Sequence, residues 1–332
     1  MSVMERGEQE AGACLLCGRS GEGVSLGRVD ARYGLSRCPD CGFIYASPRP
    51  NQDELVAFYN EHGDYNSDPE PISPEAARRR TAHYAGLIAK GRPEARRILE
   101  IGGLHGEALY GLMQRGYEVE GADINQAAIS YAARHYGILI HEGETPPEDR
   151  AGSFDVLILS HVIEHILDPV AFLRNAGRFL APGGMVLLEI PGVDTVLFDL
   201  FRQDYNMVRP PEHIDFFTRK TARLLLEKAG FTPLRTFTRT PVWSQKNVFL
   251  YGLMSLARKT GALQRLRRRK TAAPKYASAA PIPMAPGGLL ARGLAAADYG
   301  ARAASVLSWP ALALMDRMGK GLILFAIGRK QG

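Results

Sequence analysis

From residue 96 onward, short apolar runs ending in an acid or a small residue alternate with stretches whose apolar positions recur at helical spacing. Residues 96–101 (Arg-Arg-Ile-Leu-Glu-Ile) predict a brief strand, 102–106 a glycine-rich turn, and 107–113 the start of a helix. A second strand is expected over 117–123, a nearly continuous apolar one over 153–160, and another over 185–190 behind a Pro182-Gly183-Gly184 turn. Residues 231–237 read as a sixth strand and 322–329 as a final one. Upstream, Ser73-Pro74-Glu75 opens a helix to about Lys90, with serine as cap and proline in the first turn. Strands alternating with helices through Ile190 predict an α/β fold, a parallel Rossmann-like sheet covered on both faces.

This pattern divides the chain. Residues 1–45 form a cysteine-bearing module, and 46–95 a linker with an N-terminal helix. The core spans 96–241, an insertion 242–317, and the last strand 318–332. Within the linker, 46–72 is Pro-rich and carries Tyr59 and Tyr65, aromatics placed either to lid a ligand or to pack the linker down. The insertion holds an apolar stretch at helical spacing (247–266), the basic run Arg267-Arg268-Arg269-Lys270, an Ala/Pro/Gly-rich segment (271–288) and a Leu/Ala-rich helical stretch (289–317). No internal repeat is visible.

Charge sharpens the picture. The 332 residues are 45% hydrophobic, enough for a sizeable core, and carry a net charge of +6. Residues 242–320 contain 13 Lys/Arg against 2 acids, so that stretch carries +11 and the remainder −5. The basic character therefore belongs to the insertion, not to the core. Two readings stay open for it: a helical cap on a pocket with a solvated basic loop, or a surface for an anionic membrane or a phosphorylated or lipid-linked substrate. No run reaches the roughly 18–20 apolar residues of a spanning helix.

The chain has four cysteines, in two C-x2-C knuckles, Cys14/Cys17 and Cys38/Cys41. Two thiolates on each of two tight turns make a tetrahedral set, and a structural zinc ribbon is expected. Gly18 and Gly42 follow the knuckles, as suits turns needing positive φ. The alternative is disulfides or free thiols. The opening residues, MSVMERGEQEAGA, are polar and acidic rather than a secretory segment, so a reducing cytoplasm is expected, with peripheral contact at the inner membrane face left open.

Strand, glycine turn and helix together suit a nucleotide-like ligand, because small residues let it approach the backbone at a helix N-terminus. Asp123 closes the second strand about 20 residues after the turn, where a carboxylate would hold a ribose diol.

Residues 96–190 resemble a class I S-adenosylmethionine-dependent methyltransferase. The matching motifs, in order, are Glu100-x-Gly102-x-x-x-Gly106, Asp123, Glu142-Gly143-Glu144, the run 153–160, Glu164-His165 through Asp168-Pro169, and the Pro182-Gly183-Gly184 turn. Residues 37–43, Pro48-Arg49-Pro50, Phe58-Tyr59 and 211–218 are similar to a bacterial subgroup with a zinc-binding front end, whose members act on sugars, lipids and other small metabolites. The resemblance implies a seven-stranded sheet with an antiparallel last strand, and S-adenosylmethionine as cofactor. Glu100 would orient the turn or meet the methionine amino group. Gly102, Gly103 and Gly106 would admit the ligand to the backbone, Asp123 with Ile124 would meet the ribose side, Glu144 would lie near the adenine amino group, and Ser160 with His161 beside the sulfonium. Family turns carry glycine at the position of Leu104, so this loop is expected to sit differently against the methionine part.

His161-Val162-Ile163-Glu164-His165 also spells a metalloprotease-like H-x-x-E-H, but at a strand end rather than within a long helix. His165 is expected to cap or pack the next helix. His161 and His213 are the candidate catalytic bases, the second open equally to a structural hydrogen bond. The expected activity is methyl transfer to a small molecule, with a sugar or glycolipid hydroxyl or carbon favoured. An RNA methyltransferase gripping phosphates with the ribbon and basic insertion, and an inactive cofactor-binding scaffold, are the alternatives. Nucleic acid is disfavoured because the ribbon lacks an aromatic stacking platform. A nicotinamide dehydrogenase fits the first strand and turn but not the later motifs.

Overall fold

The computed structural model describes residues 13–62, 73–102, 106–240, 255–256, 259 and 309–331. A small antiparallel sheet opens the chain: β1 (Val24–Arg28), β2 (Gly34–Arg37) and β3 (Ile44–Ser47). Helix α1 (Gln52–His62) follows inside the stretch expected to be linker, and α2 (Pro74–Gly91) comes after it. The cap of α2 is the expected one: Ser73 Oγ accepts from the Ala76 N–H, Pro74 stands in the first turn and Lys90 in the last.

The larger sheet begins with β4 (Arg97–Ile101), α3 (Glu107–Met113), β5 (Glu118–Asp123), α4 (Gln126–Tyr136) and β6 (Ile140–Glu142). It continues through β7 (Phe154–Ser160), α5 (Pro169–Ala176), β8 (Leu180–Pro191) and α6 (Val196–Phe201). The two-residue β9 (Asp215–Phe216), α7 (Arg219–Lys228), β10 (Phe231–Arg239), α8 (Trp309–Arg317) and β11 (Ile323–Lys330) complete the elements. Seven strands lie in the order β10-β11-β8-β7-β4-β5-β6, and β11 is antiparallel to both of its neighbours. The seven-stranded α/β sheet with an antiparallel last strand is thus as the sequence led one to expect. Strands β7 and β8 are almost wholly buried, which is why they read as unbroken apolar runs rather than alternating ones.

Neighbouring positions reverse around β4, with β5 and β6 on one side and β7 and β8 on the other. Such a switch point opens a crevice at the carboxyl ends of the strands, where ligands of open α/β sheets bind.

The cysteine-bearing sheet packs against this edge. Strand β9, which lies between β8 and α7 in the chain, pairs with β3 through Ile44↔Phe216 and Tyr45↔Asp215. One hydrophobic cluster runs from Cys14, Leu16, Cys38, Cys41 and Phe43 through Phe217 to Leu188 and Ile190, and the Phe43 and Phe217 rings lie 5.2 Å apart. No helix among the described residues is long and apolar enough to cross a membrane. Most of the insertion lies outside the described residues, as do Tyr65, Gly103, Leu104 and His105. Of its readings, helix α8 falls within the expected 289–317 stretch.

Candidate functional site

Four buried polar side chains stand near the carboxyl ends of parallel strands: Glu100 on β4, Asp123 on β5, Ser160 on β7 and Glu189 on β8. Polar groups at the ends of otherwise apolar strands are costly to bury unless something is bound or bonded there.

On the β4/β5 side, Gly102 adopts φ +72°, and a Cβ there would come 2.3 Å from Val162 Cγ2. Any side chain at this position would displace the turn after β7, so the site needs glycine for space as well as for conformation. Gly106, at φ +75°, begins α3 without a side-chain cap. Asp123 Oδ1 accepts from the Asn125 N–H at 2.8 Å, and Asn125 Oδ1 accepts from Ala128 N–H at 3.0 Å, which fixes the start of α4. The Gly143 N–H donates to the Asp123 carbonyl at 2.9 Å and so brings the loop carrying Glu144 alongside. Ile124 is 57% exposed, an apolar side chain presented to solvent at the crevice, and Glu144 is exposed too.

Sequence reading passed over Arg80, Tyr84 and Glu189. Arg80 reaches from α2 into the crevice: its Nη2 donates to Ser160 Oγ, and its nitrogens lie 3.9 Å from Glu100 and 4.0 Å from Glu189. The Tyr84 hydroxyl donates to Glu189 Oε2. Burial pushes the Glu100 carboxyl up to about 7, against the pull of Arg80. Burial also opposes the Glu189 anion, yet His161, 3.7 Å away, and the Arg80 charge bring it down to about 2. The acid inside the apolar run 185–190, and Arg80 one turn before Tyr84 on a helix, were the available signals. Replacing Arg80 with Met should leave buried Glu100 without its countercharge and Glu189 with His161 alone, and cost about 3 kcal/mol or more of stability. Urea unfolding measures it, and a loss under about 1 kcal/mol would mean the carboxylates are balanced by other groups.

On the β7/β8 side, His161 follows Ser160 in the left-handed region, φ 55°, rare for a side chain of this size, with its N–H donating to the Glu189 carbonyl at 2.8 Å. Its Nδ1 lies 3.4 Å from Glu164 Oε1 and its Nε2 3.7 Å from Glu189 Oε1. The side chain is 44% exposed; partial desolvation disfavours the charged ring, but the two carboxylates raise it to about 9. As an imidazolium, His161 carries a proton on each ring nitrogen, within ion-pair rather than hydrogen-bond reach of the two carboxylates, and has no lone pair with which to accept another.

His165 does not cap the next helix; Asp168 does, accepting from Ala171 N–H at 2.9 Å. His165 Nδ1 instead lies 2.8 Å from the Glu212 carbonyl, with the Tyr59 hydroxyl 3.2 Å from the same nitrogen. His213 is buried, its ring 4.8 Å from that of His165 and its Nδ1 2.8 Å from the Met207 carbonyl. Carbonyls only accept, so Nδ1 carries a proton in both rings, and in the neutral ring the lone pair is then on Nε2. Burial, with His165 and Arg209 beside it, keeps the His213 ring well below its ordinary value and therefore neutral.

Arg49, noted in the sequence only within the Pro48-Arg49-Pro50 motif, locks this region. It donates to both carboxylate oxygens of Asp215, at 2.6 and 2.9 Å, and to the Leu167 carbonyl at 2.7 Å. One guanidinium thus ties the cysteine-bearing sheet to the turn carrying His165 and to the loop carrying His213.

The cysteines converge as expected. Gly18 and Gly42 take φ of 78° and 83°, and their N–H groups return to the Cys14 and Cys38 carbonyls at 2.8 and 3.0 Å. The sulfurs of Cys14 and Cys41, and of Cys17 and Cys38, lie 3.7 Å apart. That is far beyond a disulfide, and close to the roughly 3.8 Å edge of a tetrahedron of sulfurs 2.3 Å from one metal. Burial lifts Cys14 to about 11, whereas at Cys38 backbone N–H groups of Cys41 and Asp40 outweigh burial and lower it to about 7. The set fits a zinc ion.

A family model for the methyltransferase domain matches residues 73–236. Ubiquinone biosynthesis O-methyltransferases are similar to this chain. That of Pseudomonas aeruginosa (strain LESB58) is 31% identical over 112 residues, 32% of this chain and 46% of that protein. That of Alkalilimnicola ehrlichii is 28% identical over 163 residues, 43% and 66% of the two chains. The chain spans about half the length of the first of these relatives. A solved SAM-dependent methyltransferase from Archaeoglobus fulgidus is 16% identical over 82% of this chain and 99% of that one, with a TM-score of 0.44.

Proposed function

We propose that this chain, whose residues 73–236 match a methyltransferase domain, uses S-adenosylmethionine to methylate a small-molecule acceptor. The reading is carried by one arrangement: the glycine turn at Gly102 and Gly106, with Asp123 and Ser160, on adjacent strand ends at the switch point. Asp123 would take the ribose hydroxyls, Ile124 the apolar face of the adenine, Glu144 its amino group, and Glu100 the methionine amino group. The sulfonium is already a good leaving group, so the protein must align acceptor, methyl carbon and sulfur, exclude water and deal with the acceptor's proton.

That last task falls to the cluster of Glu164, His165 and His213, whose ligating atoms lie within 4.8 Å of one another beside the crevice. The acceptor is a hydroxyl or an acidic carbon, with sugars and glycolipids favoured by the likeness of the front end and of residues 211–218 to a subgroup acting on such molecules. O-methyltransferases among the relatives support an oxygen acceptor. The four cysteines would hold a structural zinc that braces the acceptor side.

Calorimetric titration with S-adenosylmethionine and S-adenosylhomocysteine tests the cofactor, and transfer of a labelled methyl group onto nucleotide sugars and lipid-linked glycans tests the acceptor. Salt-sensitive RNA binding with methylation of RNA would move the reading to nucleic acid. Exchanging His213 for Ala should lower turnover by about 100-fold or more while cofactor affinity stays within a few-fold, as expected when a proton-handling group is lost. Unchanged turnover in that variant would take His213 out of the mechanism.

A further inference from the structure

We infer that Glu164, His165 and His213 form a binding site for a divalent first-row transition metal, distinct from the four-cysteine site. Their ligating atoms lie within 4.8 Å of one another, and two of the three residues are buried. Both oxygens of the Glu164 carboxylate lack a hydrogen-bond partner although the side chain is buried. An anion in that condition is costly, and its nearest cationic neighbour, His161 Nδ1 at 3.4 Å from Oε1, leaves Oε2 unmatched.

The two histidines are arranged as metal ligands are. In each ring Nδ1–H donates to a backbone carbonyl, Glu212 for His165 and Met207 for His213, which fixes the tautomer and ring plane and aims an Nε2 lone pair away. That outer-shell pattern is the one that orients histidines on metals. His165 Nε2 stands 3.9 Å from Glu164 Oε1, too long for a hydrogen bond and near the roughly 3–3.5 Å that separates two ligands each about 2.1 Å from one ion. Two imidazoles and one carboxylate suit zinc, manganese, iron(II) or cobalt better than magnesium or calcium, and they leave coordination positions open. The 48 positions separating His165 from His213 are bridged by structure already described: Ile214 N–H donates to the Glu164 carbonyl at 2.9 Å, and Arg49 clamps the flanks.

The inference deepens the proposed methyl transfer and rests on it only for what the cation does. There it would bind the acceptor oxygen and lower its pKa, so that the proton leaves to solvent before the methyl carbon is attacked. His213 would act as a ligand rather than as the base.

The test uses full-length protein carrying its cysteine-bound zinc, dialysed against EDTA and titrated with Co2+. One further equivalent should bind with weak visible bands and without the intense thiolate charge transfer of a cysteine site. Glu164→Gln and His165→Gln should each weaken that binding by more than the roughly 10–100-fold that outer-shell changes cost. Cobalt entering only with thiolate charge transfer, or no further equivalent binding to wild-type protein, overturns the inference even if one variant fails to fold. S-adenosylmethionine titrated into the same samples keeps the two readings apart. Cofactor binding without a second metal sinks this site alone, whereas a second metal without cofactor binding sinks the methyltransferase reading and leaves the site standing.

Discussion

Replacing Asp123 with Ala should weaken S-adenosylmethionine binding by about 100-fold, roughly 2.7 kcal/mol, with little change in the turnover of enzyme saturated with cofactor. The carboxylate ends β5 beside the glycine turn, buried, and one of its oxygens holds Asn125 N–H at 2.8 Å. A carboxylate taking two ribose hydroxyls makes charge-assisted hydrogen bonds, the stronger kind, in a site shielded from water. If Asp123 holds the ribose as proposed, alanine would remove those bonds and leave the sugar hydroxyls facing a protein wall. It also removes the acceptor for the Asn125 N–H, and the Asn125 side chain starts α4, so alanine alone does not separate lost ribose contacts from backbone adjustment. Asp123→Asn separates the two: an amide oxygen still accepts from Asn125 but lacks the charge and can accept from only one hydroxyl well. The expected order of affinity is wild type, Asn, Ala, read by calorimetry with both cofactor and S-adenosylhomocysteine. Equal affinity in all three proteins would remove Asp123 from the ligand site.

Local signals carried most of this fold. Ser73 and Pro74 announced α2, the run from Arg96 to Met113 announced β4, its turn and α3, and the apolar stretches gave β7 and β8, because caps, turns and two-sided burial are written in consecutive residues. Helix α1 was unread: Pro48 and Pro50 precede it, and the sequence from Gln52 to His62 has only a weak apolar face, with Leu55 buried against Ala46 and Ile214. Partnerships across the chain were unread for another reason. Arg49 meets Asp215 across 166 residues, and Arg80 meets Ser160 across 80. Each looks like an ordinary surface charge until the sheet brings its partner close. Of the histidines, sequence could nominate His161 and His213 but could not tell which keeps a lone pair; that depended on Glu164, Glu189 and a carbonyl six residues before His213.

If the four cysteines hold the proposed zinc, its loss should reduce turnover by at least about tenfold while S-adenosylmethionine affinity changes much less. The ribbon is a poor candidate for independent folding. Its short strands and the turn before β3 bury Leu35, Phe43 and Ile44 but depend on Cys14, Cys38 and Cys41 as part of the core itself. Without a cation, sulfurs held 3.7 Å apart have no common centre, and the knuckle turns lose what joins them. The damage would then travel along a definite route. Strand β9 is two residues long and has β3 as its partner; Ala46 N–H holds the Ile214 carbonyl at 2.9 Å, and Arg49, two residues after β3, holds Asp215. Freed of these contacts, residues 212–217 would no longer hold His213 in place, whereas Gly102 just after β4, Gly106 just before α3 and Asp123 at the end of β5 stand away from that seam. The comparison is wild type against Cys38→Ser, with metal content counted, cofactor affinity by calorimetry, and amide exchange followed over 212–217. Faster exchange there with near-normal cofactor affinity is the expected outcome. Full activity in protein shown to be metal-free would mean that the ribbon, though packed against the acceptor side, does not position it.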